Sequence, residues 1–129
     1  MVEVIRVSRD ENPTPEARRE WLVTNGLGGF ASATITGEIT RRYHGFLIAA
    51  LPAPVGRMVM LNDLDVAIER PDGSTAPVRE SGSFLGFTLT VGLPSWRYEI
   101  GGVTIEKSVM MPARHNITHI GFRDRKSVV

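Results

Sequence analysis

The sequence predicts an all-β fold, an antiparallel β-sandwich, from two observations. Apolar residues recur at every second position with Thr, Glu, Arg or Ser between them, which is the period of a strand with one buried face. The 13 glycines and 8 prolines among 129 residues exceed average usage and indicate many turns between short elements. Short alternating strands separated by turns are typical of a sandwich, and the length suits one domain.

The predicted strands follow one another along nearly the whole chain. In order, they cover residues 2–7, 21–24, 30–36, 43–51, 58–70, 75–80, 84–91, 96–100, 103–109 and 117–122. A helix is predicted only at residues 14–19, where Thr14 supplies a cap, Pro15 a first-turn proline and Glu16 a first-turn acid. The sequence therefore predicts one short helix in an otherwise all-β chain.

Two hairpins are predicted from their turns. Gly101-Gly102 supplies the positive φ angles of a type I′ turn, so Ile100 should pair with Val103 and Arg97 with Glu106. The second hairpin turns at residues 71–74, of sequence Pro-Asp-Gly-Ser, and joins residues 58–70 to residues 75–80. Because Pro77 cannot donate to a ladder, its strand is predicted at a sheet edge.

Composition excludes several classes of function. The net charge of +1 does not favour nucleic acid as a partner, and the absence of cysteine excludes disulfides, thiolate metal sites and cysteine nucleophiles. The longest apolar stretch, residues 46–51, is too short to span a bilayer, so no membrane partner is expected. Residues 1–6 carry an acid and a base, which does not fit a signal peptide, so a cytoplasmic protein is expected.

A glycine-rich segment, residues 25–31, formally satisfies a dinucleotide-binding fingerprint. That fingerprint requires a helix next, because the pyrophosphate binds at a helix N-terminus. Residues 32–37 are instead rich in β-branched residues and end in Gly37. The segment is therefore predicted to be a sharp glycine corner between two strands, and no nucleotide cofactor is expected.

Residues 40–45 place Arg41, Arg42, Tyr43 and His44 at the start of an apolar strand. Strand alternation would put Arg42 and His44 on one face and Arg41 and Tyr43 on the other, so one arginine should point inward or into an interface. There it needs a carboxylate or carbonyl partner. Two interpretations remain open from these residues: polar recognition of a hydroxyl-rich ligand or partner, and a solvated strand end.

The remaining chemical groups give weak signals. Asp63 and Asp65 would stand roughly 6.5 to 7 Å apart on one strand face, but an acid and a base must flank a scissile bond, so a solvated face is the better interpretation. No metal site and no catalytic constellation are predicted. Trp21, Tyr43, Trp96 and Tyr98 could stack on sugars, although their spacing favours a core role for Trp96 and Tyr98.

Several of these segments resemble one known family. The run Glu20–Ser32, the segment Thr40–Gly45 and Gly56-Arg57, together with the hairpin around Gly102, resemble the N-terminal domain of bacterial and archaeal glycogen debranching enzymes of the amylo-α-1,6-glucosidase type. The resemblance covers the chain from about Glu20 to about Phe122, and residues 123–129 do not match the pattern.

The resemblance implies a particular architecture and activity. In that family a β-sandwich of the N-terminal super-sandwich type precedes an α/α-barrel catalytic domain, a glycoside hydrolase that cleaves α-1,6 branches in glycogen catabolism. The chain would then be a single N-terminal sandwich domain over residues 1–129, without the barrel and not active alone. Because the family domain continues for several strands past the equivalent of Phe122, a truncated sandwich is expected.

The resemblance also implies the partners and the site. The expected partners are an α-glucan, such as glycogen or a limit dextrin, and the catalytic barrel, which would supply the partners of the two arginines. The alternative is a stand-alone glucan-binding module. The residues expected at the substrate or interface are Asn25, Gly28, Gly29, Arg41, Arg42, Tyr43 and His44.

Overall fold

The computed structural model describes residues 4–8, 19–36, 40–78, 84–100 and 102–125. Within these ranges all regular structure is β and no helix is present. The strands are β1 (Val4–Ser8), β2 (Glu20–Thr24), β3 (Phe30–Thr34), β4 (Gly45–Ala50), β5 (Arg57–Leu61), β6 (Ala67–Glu69), β7 (Thr75–Pro77), β8 (Phe84–Thr90), β9 (Leu93–Ile100), β10 (Val103–Met110) and β11 (His119–Arg125).

The strands form three antiparallel sheets. Five strands pair in the order β1-β8-β9-β10-β11, four in the order β2-β3-β4-β5, and β6 pairs with β7. The first two sheets share one core, because the buried apolar cluster draws residues from both. The predicted all-β sandwich is confirmed.

The core is centred on two tryptophans from facing sheets. The ring centroids of Trp21 on β2 and Trp96 on β9 lie 5.2 Å apart at 82°, an edge-to-face pair. The indole Nε1 of Trp96 donates to the carbonyl of Ile35 over 2.8 Å, which satisfies its buried N–H. Trp96 and Tyr98 are both buried, so their predicted core role is confirmed.

One charged side chain enters the space between the sheets. Lys107 follows buried Ile105 at the strand period and therefore shares its inward face. Its ammonium Nζ lies 4.3 Å from the ring centroid of Trp96 and 5.6 Å from that of Phe46 on the opposite sheet. The aromatic faces hold the cation between the two sheets.

The predicted hairpin between β9 and β10 is confirmed in register. Val103 pairs with Ile100 and Glu106 with Arg97. Gly102 has a φ of 83°, as the turn requires, whereas Gly101 lies outside the described residues. The hairpin between β6 and β7 is confirmed as well, and Pro77 lies in a two-stranded sheet, where each strand is an edge.

The prediction of one long strand over residues 58–70 is wrong. This segment forms β5 and β6, with an irregular connection at residues 62–66. Asp63 Oδ1 accepts a hydrogen bond from the N–H of Leu64 over 2.9 Å, a local bond that competes with a strand ladder. The two halves also join different sheets.

The last strand ends later than predicted. β11 continues to Arg125, and Arg123 pairs with Glu106 of β10. Residues 14–18 of the predicted helix and Gly37 lie outside the described residues, and Arg19 forms no regular structure.

Candidate functional site

The seven residues proposed from the resemblance lie in two groups at opposite ends of one sheet. Asn25, Gly28 and Gly29 form the connection between β2 and β3, and residues 41–44 lie in the connection between β3 and β4. Because these strands are antiparallel, successive connections fall at opposite ends. The five residues of β2 separate the ends by about 13 Å, so the structure does not assemble one site from both groups.

Asn25 fastens the first group to a distant part of the chain. Its side chain is 1% exposed and uses its full hydrogen-bonding capacity. Oδ1 accepts from the N–H groups of Leu27 (2.9 Å) and Gly29 (3.1 Å). Nδ2 donates to the carbonyl of His115 (2.9 Å) and to Oδ1 of Asn116 (3.0 Å), both in the β10–β11 connection. Asn25 therefore links the β2–β3 connection of one large sheet to the β10–β11 connection of the other.

The two glycines are required for different reasons. Gly28 has a φ of 91°, a conformation that side chains with a Cβ rarely adopt. A Cβ on Gly29 would lie 2.7 Å from Nδ2 of Asn25 and 3.1 Å from the carbonyl oxygen of Ile48. The predicted glycine corner is confirmed, and β3 rather than a helix follows it.

The second group is a turn and not the start of a strand. Residues 41–43 precede β4, and the N–H of His44 donates to the carbonyl of Arg41 over 3.2 Å. Strand alternation therefore does not apply, and both Arg41 and Arg42 are exposed. Of the two alternatives predicted for one arginine, the inward orientation is wrong, and the interface stays a prediction. We call Arg41, Arg42 and Tyr43 the arginine–tyrosine turn.

His44 lies beneath this turn with 2% exposure. Its Nδ1 accepts hydrogen bonds from the backbone N–H groups of Thr40 (3.0 Å) and Arg41 (3.3 Å). A neutral ring that accepts at Nδ1 carries its hydrogen on Nε2. Nε2 lies 3.0 Å from Oε1 of Glu20, close enough for an ion pair but without hydrogen-bond alignment.

Glu20, at the start of β2, links the turn to the sheet. The guanidinium of Arg41 donates from Nε to Oε1 of Glu20. That hydrogen bond is the main reason that the pKa of Glu20 lies below its usual value, and the positive charge of Arg41 acts in the same direction. Arg41 thus finds its carboxylate within the chain, so the expectation that the barrel must supply it is wrong.

Arg42 and Tyr43 present a different surface. The guanidinium carbon of Arg42 lies 5.3 Å from the ring centroid of Tyr43, a cation–π contact at an exposed site. The turn borders the end of β5, because a Cβ on Gly45 would lie 2.7 Å from the carbonyl oxygen of Leu61. Next to it on this edge strand, Met60 is 55% exposed.

Sequence reasoning missed two residues that organise these groups. The sequence predicted that an arginine would need a carboxylate partner. No local pattern distinguished Glu20 from the other acids among the 14 in the chain. Asn116 is 91 positions from Asn25, and no local pattern connects them.

The described residues give no support for a catalytic or metal centre of their own. Asp63 and Asp65 lie in the irregular connection, so the strand-face spacing expected for them is wrong. The part of the chain that the structure describes has no group of three metal-binding side chains and no helix long and apolar enough to cross a membrane. Trp21 and Trp96 are buried and unavailable for stacking on a sugar.

A family model described as glycogen debranching enzyme N terminal matches residues 19–127. The chain belongs to this family. No curated protein and no solved structure gave a match. The family match extends past Phe122, as β11 does, so the predicted end of the resemblance near Phe122 lay too early.

Proposed function

We propose that this chain acts as the non-catalytic N-terminal domain of a glycogen debranching enzyme. In this role it packs on the α/α-barrel that hydrolyses α-1,6 branches and helps to shape the glucan site. The observation that carries the proposal is the family match over residues 19–127, which includes β2 to β11. A single domain over residues 1–129 and a cytoplasmic location stay predictions of the sequence.

The acids near the candidate site support a non-catalytic role. Glycoside hydrolysis ordinarily uses two carboxyl groups that flank the scissile bond. Glu20 is held by Arg41 and faces His44, and its pKa is lowered, which is the opposite of what a general acid requires. Asp63 and Asp65 are near neighbours in one irregular segment. Neither arrangement places an acid and a base across a ligand.

Two neighbouring exposed features support docking on another domain. The cationic feature is the arginine–tyrosine turn, and the apolar feature is β5, where Met58, Met60 and Leu61 are exposed. β5 is an edge strand with exposed side chains on both faces. Apolar side chains beside arginine and tyrosine are the composition of a protein interface.

The stand-alone glucan-binding module is less well supported. Such a module binds sugar rings on exposed aromatic faces. Of the four predicted stacking residues, Trp21 and Trp96 pack against each other inside the sandwich and Tyr98 is buried as well, which leaves Tyr43, whose ring contacts Arg42.

The test combines the chain with a catalytic barrel from the same enzyme family. We expect binding in a titration and faster glucose release from an α-1,6-branched dextrin than with the barrel alone. Arg42→Ala and Tyr43→Ala should weaken both effects, whereas Arg97→Ala, on an exposed position of β9, should not. Capture of the isolated chain by glycogen, with no effect on the barrel, would favour the binding module instead.

A further inference from the structure

The glycine corner begins with a chemically labile pair of residues. The chain has four asparagines, at positions 12, 25, 62 and 116, and only Asn25 is followed by a glycine. The backbone nitrogen that follows an asparagine can attack the side-chain carbonyl carbon, and glycine hinders this attack least because it has no Cβ. Gly26 is exposed, and a Cβ built on it would meet nothing within 4 Å. The sequence of this pair is therefore that of a spontaneous deamidation site.

The reaction needs no reagent except water. The nitrogen of Gly26 forms a bond to Cγ of Asn25, the Cγ–Nδ2 bond breaks, and Nδ2 leaves as ammonia with the hydrogen that the Gly26 nitrogen gave up. Water then opens the cyclic imide and leaves aspartate or isoaspartate at position 25. The outcome is the exchange of an amide for a carboxylate.

The structure treats the two ends of the Asn25 amide differently. Oδ1 accepts from the N–H groups of Leu27 and Gly29, both within the corner, and such donors stabilise the negative charge that develops on an oxygen under attack. Nδ2 donates to the carbonyl of His115 and to Oδ1 of Asn116. These two oxygens are acceptors and cannot supply the proton that Nδ2 needs in order to leave. Because the side chain is 1% exposed, solvent does not supply it either.

We propose that Asn25 and Gly26 form a latent deamidation site, which the β10–β11 connection keeps unreactive and which reacts once that connection separates from the corner. The product carboxylate has no hydrogen to donate, so it would face the oxygens of His115 and Asn116 as a buried, uncompensated charge. The link between the two large sheets then cannot form again. Deamidation thus makes one opening of the sandwich irreversible.

The test measures deamidation of the full chain by mass spectrometry of its proteolytic peptides. The chain is incubated folded, and unfolded in guanidinium, at the same mildly alkaline pH and temperature. In the unfolded chain Asn25 should react faster than Asn62 and Asn116, because residues with a Cβ follow these two. In the folded chain the reaction at Asn25 should be about tenfold slower or more, because two hydrogen bonds must first be lost. Equal rates in the two states, or an unreactive Asn25 in the unfolded chain, would overturn the proposal.

A matched pair of variants tests the role of the β10–β11 connection. Asn116→Ala removes one acceptor of Nδ2, whereas Asn116→Asp keeps an acceptor oxygen at the same position. In the folded state Asn116→Ala should deamidate about fivefold faster at Asn25 than the wild type, and Asn116→Asp should stay close to it. Ile105→Ala, in the core of β10, controls for general destabilisation and should accelerate the reaction less than Asn116→Ala. Equal acceleration by Ile105→Ala and Asn116→Ala would show that global unfolding, and not the connection, controls the site.

Irreversibility is measured on the modified chain after its separation from the unmodified chain and its return to native conditions. The N–H of Arg114 donates to the backbone carbonyl of Asn25 over 2.6 Å, so its hydrogen exchange reports the link. This amide should exchange about tenfold faster or more in the modified chain than in an unmodified chain that was unfolded and refolded in the same way. Equal protection in both would refute an irreversible opening. No barrel is present in these experiments, so the outcome does not depend on the proposed function.

Discussion

Asn25 shows how much of this domain depends on single polar side chains. Its amide makes four hydrogen bonds, two within the glycine corner and two to the β10–β11 connection. Its backbone carbonyl also accepts from the N–H of Arg114 over 2.6 Å. Because all four hydrogen bonds of this buried amide are made, the side chain cannot move without breaking one of them. A neighbouring residue therefore cannot gain atoms at its expense.

Gly29 tests this rigidity. In Gly29→Ala the added Cβ would lie 2.7 Å from Nδ2 of Asn25, so we expect a loss in the free energy of unfolding that exceeds that of the control below and reaches up to roughly 3 kcal/mol. Gly26→Ala is the matched control, since Gly26 has a φ of 79° and open space around it. It should lose only the backbone cost of about 1 kcal/mol. Chemical denaturation measures both, and equal midpoints would contradict tight packing at Gly29.

Gly28 gives a second comparison at the same corner. Its φ of 91° disfavours β-branched residues, and a Cβ there would lie 3.2 Å from that of Ala50. Gly28→Val should therefore cost more than about 1 kcal/mol. A thermal melt unchanged by this substitution would show that the corner tolerates a side chain.

At the scale of elements, the ends of the four-stranded sheet have different roles. The corner end is closed by hydrogen bonds from Asn25, whereas the other end is held by Glu20 and carries exposed arginines. The edge strand β5 adds apolar side chains beside that second end. The sheet is thus anchored to the other large sheet at one end and carries exposed side chains at the other.

The ion pair between Glu20 and Arg41 predicts a pH dependence with a defined sign. Because the pKa of Glu20 is lowered in the folded state, its stabilisation is complete above the unfolded value, about 4.3, and is lost as the pH falls through the folded value. The pair is partly exposed, so its contribution should be at most about 1 kcal/mol.

The measurement compares the melting temperatures of the wild type and Glu20→Gln across acidic pH. We expect the wild type to be slightly more stable above about pH 5 and the difference to shrink towards about pH 3. Glu99→Gln, on an exposed position of β9, serves as a control. A difference that grows as the pH falls would refute the assignment.

At the scale of the molecule, the arrangement of the described acids leads to a prediction about activity. The purified chain should release no glucose from an α-1,6-branched dextrin, because no carboxyl pair among the residues that the structure describes flanks a site. Glucose release is measured with the chain alone. Turnover that disappears in the Asp63→Asn, Asp65→Asn double variant would contradict this prediction.

The exposed edge predicts how the isolated chain behaves. β5 carries Met58, Met60 and Leu61 without cover from the described residues, so we expect marginal stability and self-association. Sedimentation should show Met60→Lys to be less associated than the wild type, while Ser95→Lys on the other sheet should change little. A compact wild-type monomer with a cooperative melt would speak against it.

The sequence was sufficient for much of the fold, because period-two alternation and glycine turns are local signals. The pairing of Arg97 with Glu106 follows from the length of one turn, and the corner at Gly28 follows from glycine within an apolar pattern. Alternation failed at Arg41 and Arg42, because these residues form a turn and β4 begins only at Gly45. It also failed at residues 62–66, where a local carboxylate bond and a change of sheet interrupt the strand.

By itself, the sequence determined the strand class, the two hairpins and the family resemblance that the match over residues 19–127 confirms. Only the tertiary structure decided that Asn25 bonds Asn116, that Glu20 holds Arg41 above His44, and that Lys107 points between the sheets. The reason is distance along the chain. Strand period and turn type depend on neighbouring residues, whereas the partner of a polar side chain depends on which segments the packing of two sheets brings together.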